Sequence, residues 1–214
     1  CPLSHRNVLH VANSMVDRWK MNDEDVFWDP LPMFHMSSIL PFIGCSISKS
    51  TFLSTIHFNP DAAIKVLIEK EVSIAFPAFP AVMVALSNHD DFTPENLSKL
   101  RIINNVAPIE TLRSFQNKVP QATQVSAYGL TEVGGVTSFG SPDDALEHRL
   151  TTCGKPWPEV EIRILDPETN EVMNNEEKGL IEIKGPHVFS GYLNDKEATK
   201  NALSDDGWFS TGDI

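Results

Sequence analysis

The first two-thirds of the chain alternates between helical and strand-like hydrophobic patterns. Apolar residues recur at helical spacing from Val8 to Trp19, and this predicts a helix with Ser4 as its N-cap. The predicted extended segments are residues 25–35, 51–58, 72–76, 100–106 and 122–129. The predicted helices are Met36–Ser48, 59–71, 77–89 and 108–119, and the second of these is opened by Asn59 and Pro60. Strands that alternate with helices in this way predict an α/β fold, with βαβ units and a mostly parallel sheet.

The pattern changes after about Ser141. Residues 160–173 alternate apolar and polar side chains around a turn at 166–170, which predicts a hairpin, and residues 178–185 repeat the alternation. One later helix is predicted, over residues 195–203. We therefore divide the chain into an α/β part, 1–140, and a β-rich, barrel-like part, 141–214, with 141–147 as the expected linker.

The charge of the chain argues against nucleic acid as a partner. Its 17 Lys and Arg residues and 29 Asp and Glu residues give a formal net charge of −12, whereas binding to a nucleic-acid backbone requires an excess of basic side chains. With 41% hydrophobic and 21% charged residues, the composition is that of a globular protein with a substantial core.

The three cysteines form no recognisable metal-binding pattern. Cys1, Cys45 and Cys153 are widely separated, so neither a zinc knuckle nor a disulfide framework is supported, and a reducing compartment fits best. The sequence has no apolar run long enough to predict a transmembrane helix, and its start does not resemble a signal peptide. We expect a cytoplasmic location, with a peroxisome or another organelle as the alternative.

The segment 126–135, SAYGLTEVGG, combines polar side chains with three glycines. Flexible glycines let backbone N–H groups approach an anion, and the Thr131 hydroxyl is a further donor. The Glu132 carboxylate would repel a phosphate unless Mg²⁺ bridges the two, and Tyr128 offers a flat face for a nucleobase. These side chains suggest a nucleoside triphosphate. Taken alone, however, they favour a simpler interpretation, an exposed loop with turn glycines and a buried tyrosine.

Two further positions carry weaker indications. Asp213 follows an expected strand end in GWFSTGDI, where a carboxylate can accept hydrogen bonds from both ribose hydroxyls. An Asx turn or a helix cap is the commoner role of a single aspartate. His35, between Phe34 and Met36, can line an apolar acyl pocket or steer a carboxylate, although a lone histidine among apolar residues is more often part of the core.

Seven motifs stand in order along the chain: LSHRN, PLPMFH, NNVAP, YGLTE, CGKPWPEVEIRILD, GLIEIKGPHVFSGY and GWFSTGDI. Together they resemble the adenylate-forming superfamily of acyl- and aryl-CoA synthetases, firefly-luciferase-like enzymes and peptide-synthetase adenylation domains, over essentially all 214 residues. The resemblance implies the N-terminal domain fold of an acyl-CoA synthetase. It also implies a ligase that uses ATP and Mg²⁺ to convert a fatty or aromatic acid to an acyl-adenylate, releasing AMP on transfer to CoA.

The resemblance also implies roles for individual residues. Tyr128 would stack on adenine, Thr131 would contact the α-phosphate region, and Glu132 would bind Mg²⁺. Asp213 would hold the ribose, and His35 would gate the acyl pocket and join Thr131 and Glu132 as a catalytic residue. The other expected nucleotide-binding residues are Asn105, Val106, Ala107, Pro108, Ala127, Gly129 and Leu130, and Gly134 and Gly135 would border the acyl pocket.

The chain departs from the family pattern in three places. Family members carry a Ser/Thr/Gly-rich phosphate loop before the residues that match 1–5, and they continue beyond Ile214 to a ribose-binding Arg and a small domain with a catalytic Lys. We therefore expect an internal fragment that is inactive by itself. Asn105 and Val106 stand where the family has Gly followed by Gly or Ala. If the turn requires φ > 0, Asn tolerates it and Val does not, so either the local backbone differs or the adenine pocket is narrower.

Three alternative functions stay open. Similar chemistry serves an adenylation domain that loads a carrier protein, or a luciferase-like oxygenase. Residues 30–44, PLPMFHMSSILPFIG, contain no acidic side chain to hold the α-ammonium group of an amino acid, which disfavours an amino-acid substrate. A relative that binds nucleotides without catalysis is an alternative of another class.

Overall fold

The computed structural model describes residues 1–174 and 176–214. The chain folds into two compact units, each assembled from separate segments. The larger unit comprises Ala12–Tyr128 and Ser138–Lys155, and the smaller unit comprises Cys1–Val11, Gly129–Thr137 and Pro156–Ile214. The domain division at residue 141 stays a prediction.

A parallel sheet forms the centre of the larger unit. The elements up to β7 are, in chain order, α1 (His5–Trp19), β1 (Val26–Asp29), α2 (Met36–Ser48), β2 (Thr51–Ser54), α3 (Pro60–Glu69), β3 (Ile74–Ala78), α4 (Pro80–Ser87), β4 (Ile102–Asn105), α5 (Ile109–Lys118), β5 (Thr123–Val125), β6 (Ala127–Tyr128) and β7 (Ser138–Phe139). Among the described residues, β1 to β5 form one sheet in the order β2-β1-β3-β4-β5, with every neighbouring pair parallel. The predicted βαβ organisation is therefore confirmed, and α2 has both of its predicted ends.

Two helices begin at the predicted caps. The Ser4 hydroxyl accepts a hydrogen bond from the Asn7 N–H at 3.2 Å, while the Asn7 side-chain carbonyl accepts one from the Ser4 N–H at 2.8 Å. The Asn59 side chain accepts a hydrogen bond from the Ala62 N–H at 2.9 Å, ahead of Pro60 in the first turn. These bonds satisfy N–H groups that a helix start leaves without a partner.

The core of the larger unit consists of apolar side chains of the sheet and of α3, α4 and α5. They include Trp28, Ile64, Met83, Leu86, Ile103 and Phe115. An ion pair between a buried carboxylate and a half-buried arginine lies at the amino-terminal edge of the sheet. Asp25 accepts hydrogen bonds from Arg101 at 2.8 and 2.6 Å and from the Ser73 hydroxyl at 2.7 Å. Burial acts to raise the pKa of Asp25, but these hydrogen bonds and the Arg101 charge outweigh it and lower the pKa. The pair therefore ties together the starts of β1, β3 and β4.

An antiparallel sheet organises the smaller unit. The later elements of the chain are α6 (Leu146–Thr151), β8 (Lys155–Pro156), β9 (Glu161–Leu165), β10 (Leu180–Lys184), α7 (Lys196–Ala202) and β11 (Phe209–Ser210). In the described part of the unit, β10 pairs antiparallel with both β9 and β11. The β-rich character and the helix predicted over 195–203 are confirmed.

The predicted hairpin forms but is short. The Asp166 N–H donates to the Glu171 carbonyl at 2.9 Å and the Met173 N–H to the Ile164 carbonyl at 2.8 Å, and Leu165 forms an antiparallel bridge with Val172, while β9 pairs along its length with β10. The pattern missed α6, which begins inside the expected linker. Glu147 of α6 accepts hydrogen bonds from Arg113 at 2.8 and 3.0 Å, so this short helix is held by tertiary contacts rather than by its own periodicity.

None of the helices in the described part of the chain combines the length and apolar character that a membrane span requires.

Candidate functional site

The candidate residues of the larger unit lie at the carboxyl edge of the parallel sheet, where sheets of this kind bind ligands. Asn105 ends β4, and Ser126 follows β5, the neighbouring strand. The Ser126 hydroxyl donates to the Asn105 carbonyl at 3.1 Å, so the NNVAP turn and the start of the SAYG segment lie side by side. The Asn105 side chain is fully buried, and neither of its polar atoms has a hydrogen-bond partner among the described residues. Such unpaired buried groups are rare in folded proteins and mark this position for a functional explanation.

The backbone at this turn needs no glycine. Neither Asn105 nor Val106 has a positive φ; instead Ala78, which pairs with Asn105 across β3 and β4, has a φ of 51°. The Phe79 N–H donates to the Pro77 carbonyl at 2.5 Å around Ala78, and the Val106 N–H donates to the Ala78 carbonyl at 3.0 Å. The left-handed region is unfavourable for an L side chain, so the strain lies at Ala78. Asn105 and Val106 therefore adopt ordinary backbone conformations, and both explanations of this departure, a different local backbone and a narrower adenine pocket, stay predictions.

The rest of the turn and the β6 residues are accessible. Val106 and Pro108 are exposed, Ala107 is half-buried, and Pro108 immediately precedes α5. Ala127 and Tyr128 are half-buried in β6, which pairs with β7. These residues therefore lie outside the deep core, and each is at least partly exposed.

His35 lies in a different connection of the same edge. His35 lies between β1 and α2. In the sheet, β3 stands between β1 and β4, and the His35 side chain makes no capping hydrogen bond to α2. Its exposed ring lies 5.6 Å from the ring of Phe34. Beside this connection, a cavity of about 460 Å³ is lined mainly by apolar residues, among them Leu31, Met33 and Ile56. His35 itself is exposed, so it is not a core histidine, and its role at an acyl pocket stays a prediction.

Asp29 is a residue that the sequence interpretation missed. It ends β1 and is fully buried, with one carboxylate oxygen accepting the Leu31 N–H at 2.8 Å and the other without a partner in the described chain. Burial raises the pKa of Asp29 to about 7, against the opposing hydrogen bond from the Leu31 N–H. An acidic residue at the end of an apolar strand, directly before the prolines of PLPMFH, was the available signal.

In the smaller unit, the candidate residues begin on a tight turn. A short 3₁₀ helix covers Thr131–Val133 and ends at Gly134, whose φ is 69° and whose N–H donates to the Thr131 carbonyl at 3.0 Å. A side chain at Gly129 would place its Cβ 2.4 Å from the carbonyl oxygen of Gly135. Glycine is therefore required at residue 129 because the turn brings two backbone segments together.

Glu132 is held by the segment that follows β10. The Phe189 N–H donates to the Glu132 carbonyl at 2.8 Å, and the Tyr192 hydroxyl donates to Glu132 Oε1 at 3.0 Å. Burial, followed by the hydrogen bond to Glu132 and its charge, raises the pKa of Tyr192. Thr131 is exposed and Glu132 is half-buried. The sequence interpretation quoted the motif that contains Tyr192 but assigned this residue no role, because the two side chains are 60 positions apart.

Asp213 is positioned by the continuation of the antiparallel sheet. Its carbonyl accepts the Ile181 N–H at 3.0 Å, and its N–H donates to the Thr211 hydroxyl at 3.1 Å. The Thr211 N–H in turn donates to the Ile181 carbonyl at 3.1 Å. The expected strand end is confirmed, and Asp213 is exposed there.

A buried histidine, His187, lies beside a half-buried one, His10, in the same unit. His187 is fully buried, its Nε2 lies 2.8 Å from the Thr137 hydroxyl, and its ring centroid lies 6.0 Å from that of His10. Burial, followed by the charge of His10, lowers the pKa of His187 to about 4. His187 is therefore neutral in the folded protein near pH 7.

Comparison with known protein families identifies the family that this chain resembles. A family model described as "AMP-binding enzyme" matches residues 1–193. The chain is 30% identical to 4-coumarate–CoA ligase 3 of Oryza sativa subsp. japonica, covering 99% of this chain and 40% of that protein. It is 31% identical to peroxisomal OPC-8:0-CoA ligase 1 of Arabidopsis thaliana, again covering 99% and 40%. The chain therefore spans about 40% of the length of these curated relatives.

Solved structures agree with this match. ATP-bound MatB from Rhodopseudomonas palustris shares 27% identity with a TM-score of 0.89, over 98% of this chain and 41% of that one. The O-succinylbenzoate coenzyme A synthetase of Bacillus subtilis in complex with AMP shares 25% identity with a TM-score of 0.85, over 98% and 42%.

Proposed function

The chain belongs to the family of AMP-binding enzymes, and from this premise we propose that its protein activates a carboxylic acid with ATP and transfers the acyl group to CoA. In the first step a carboxylate oxygen attacks the α-phosphorus of ATP, which forms an acyl-adenylate and releases pyrophosphate. In the second step the CoA thiol attacks the acyl carbon, which forms a thioester, releases AMP and frees the thiol proton. Two similar proteins are named CoA ligases, and two similar structures hold ATP or AMP.

The main support for this proposal is the set of partners that surrounds the Glu132 carboxylate. Its carboxylate accepts a hydrogen bond from the neutral Tyr192 hydroxyl, and none of the Lys, Arg or His side chains described pairs with it. An acidic side chain beside the exposed Thr131 hydroxyl opposes a triphosphate unless a divalent cation lies between them. A negative charge left uncompensated at this position therefore supports a cation-bridged nucleotide.

The single carboxylate of Glu132 fits a magnesium ion that binds together with its nucleotide. Within residues 1–174 and 176–214, no three acidic, His or Cys side chains converge to hold a metal by themselves. Mg²⁺ in nucleotide enzymes is held by one or two carboxylates together with substrate phosphates, so Glu132 alone suffices as its ligand from this turn. When bound, the cation would supply neutralisation of the phosphate charge as pyrophosphate leaves.

The other candidate residues bind ATP and the acid and orient them. In the larger unit, Tyr128 offers its ring to adenine, the turn formed by residues 105–108 lines the base and the acid, and His35 gates the acyl group. In the smaller unit, Thr131 donates to the α-phosphate, and Asp213 accepts hydrogen bonds from the ribose hydroxyls. Because two anions must approach one another, the chain contributes chiefly by positioning and by charge complementarity.

We propose a fatty or aromatic acid as the substrate. The support is the apolar lining of the cavity beside the PLPMFH connection and the lack of an acidic residue between positions 30 and 44. An α-ammonium group would find no counter-ion in that stretch. The cytoplasmic location stays a prediction, with a peroxisome as the alternative.

Mass spectrometry of the reaction products tests this function. The full-length gene product is incubated with ATP, Mg²⁺, a panel of aliphatic, aromatic and amino acids, and either CoA or a phosphopantetheinylated carrier protein. We expect an acyl-adenylate with an apolar acid and a thioester with CoA. A thioester on the carrier alone would replace CoA ligation by carrier loading, and no adenylate with any acid would favour a nucleotide-binding relative without catalysis.

A further inference from the structure

We propose that Tyr192 is a positioning residue that orients the Glu132 carboxylate so that its second oxygen can meet the divalent cation of a bound nucleotide. The inference rests on the proposed function, and it adds a residue to the cation site. No step of the reaction requires Tyr192 to touch the substrate.

Glu132 is held at two points by one short segment. The Phe189 N–H fixes its backbone carbonyl at 2.8 Å, and the Tyr192 hydroxyl fixes Oε1 of its side chain at 3.0 Å. The rings of Phe189 and Tyr192 meet edge to face, with centroids 4.8 Å apart. The backbone and the carboxylate are therefore fixed together, which restricts the side chain to one orientation.

Tyr192 is itself anchored. Its N–H donates to the Thr199 hydroxyl at 2.9 Å, and that hydroxyl donates to the Asp195 carbonyl at 2.7 Å in the first turn of α7. Gly191, immediately before Tyr192, has a φ of 129°, and a Cβ there would lie 2.5 Å from the Thr199 side chain. The tyrosine thus comes from an anchored turn, as a group that orients a ligand requires.

The chemistry of the donor distinguishes this contact from a merely structural one. A Lys or Arg partner would also hold the carboxylate, but it would cancel the charge that attracts a cation. A phenol occupies one lone pair of Oε1 and leaves the negative charge in place. Carboxylate ligands of metals are usually held by outer hydrogen bonds of this kind, and losing such a bond typically weakens metal binding by about 10- to 100-fold.

Cation binding to the full-length gene product tests the proposal directly. Mn²⁺, as a spectroscopic substitute for Mg²⁺, is titrated in the presence of a non-hydrolysable ATP analogue, and bound Mn²⁺ is followed by electron paramagnetic resonance. We expect Tyr192→Phe, which keeps the ring, to weaken Mn²⁺ binding by about 10-fold, and Glu132→Gln to weaken it further. The pyrophosphate release rate of Tyr192→Phe should recover when Mg²⁺ is raised, whereas that of Glu132→Gln should not.

Ser204→Ala is the matched control. The Ser204 hydroxyl accepts the Trp208 N–H at 2.9 Å and donates to Asp206 at 2.6 Å, so this variant loses a comparable hydroxyl in the same unit without a bond to Glu132. It should bind Mn²⁺ like the wild type. All titrations are run well below the unfolding midpoint of each variant, so that a loss of stability is not scored as a loss of affinity.

The outcomes separate this inference from the proposed function. Wild-type Mn²⁺ affinity in Tyr192→Phe, together with a loss in Glu132→Gln, would overturn the role of Tyr192 and leave the function standing. Wild-type affinity in Glu132→Gln would overturn the cation site and the inference with it. Equal weakening in Tyr192→Phe and Ser204→Ala would show a general structural effect and would also overturn the inference.

Discussion

Replacing Asp29 by Asn should remove a pH-dependent loss of stability. Asp29 is fully buried, and burial raises its pKa from 3.8 to about 7. Below pH 3.8 both the folded and the unfolded chain hold the proton, so the folded state has its full stability. As the pH rises from 3.8 to about 7, the unfolded chain ionises while the folded chain does not. This difference stabilises the unfolded state relative to the folded one.

The size of the effect follows from the two pKa values. They differ by about 3, and at about 1.4 kcal/mol per pKa unit the loss is about 4 kcal/mol above pH 7. Between pH 5 and pH 8 the same relation gives about 2.5 kcal/mol. Asn has the shape of the protonated carboxyl and can accept the Leu31 N–H in the same way, so any constant cost of the substitution cancels between the two pH values.

Urea unfolding of the chain and of Asp29→Asn, followed by tryptophan fluorescence, measures this difference. We expect the variant to gain about 2.5 kcal/mol relative to the wild type between pH 5 and pH 8. Asp25→Asn is the control, because Asp25 begins the same strand region but is paired with Arg101. Its replacement should destabilise the chain by about 2 kcal/mol at pH 7, as expected for losing hydrogen bonds to a charged group. If the free-energy difference between Asp29→Asn and wild type is the same at both pH values, Asp29 is ionised in the folded state and the reasoning is refuted.

Three further variants test other parts of the structure. Above pH 6.5 both states hold His187 neutral, but between pH 6.5 and 4 only the unfolded chain takes up its proton. The wild type should therefore lose about 3 kcal/mol relative to His187→Gln across that window, and a constant difference in urea unfolding would contradict this. Gly129→Ala should lower stability by about 2 kcal/mol, because its Cβ would lie 2.4 Å from the Gly135 oxygen; an unchanged melting temperature would argue against the tight turn. Asn59→Ala removes the cap on the Ala62 N–H and should cost about 1 kcal/mol in chemical unfolding, whereas Asn59→Ser should cost little.

Local patterns predicted the elements whose cause is local. The apolar run after His35 gave both ends of α2, and the capping residues Ser4 and Asn59 gave two helix starts, because hydrophobic period and N-cap chemistry act within a few residues. The same reasoning failed for α6. Its contacts, the buried Leu150 and the hydrogen bonds of Arg149 to Gln116 at 3.0 Å and to the Gln124 carbonyl at 2.7 Å, involve partners that only the fold brings near.

The candidate site also combines features with a local cause and features that depend on the fold. Motif order identified Glu132, but its partner Tyr192 lies 60 residues away, and no sequence period connects the two. At the NNVAP turn, the residue types alone left two explanations open, since positive φ cannot be read from Asn105 and Val106 themselves. The strained residue is Ala78 on the neighbouring strand, and strand order decides that neighbour.

Acid-dependent pyrophosphate release by the full-length gene product, with wild type beside Glu132→Ala, tests the central claim most directly. The claim is that Glu132 presents its charge to a cation-bound nucleotide during acid activation. We predict release with apolar acids, ATP and Mg²⁺, and its loss in the variant. Release that is equal in the two proteins would contradict the role of Glu132, and release with no acid from either would contradict the proposed activation itself.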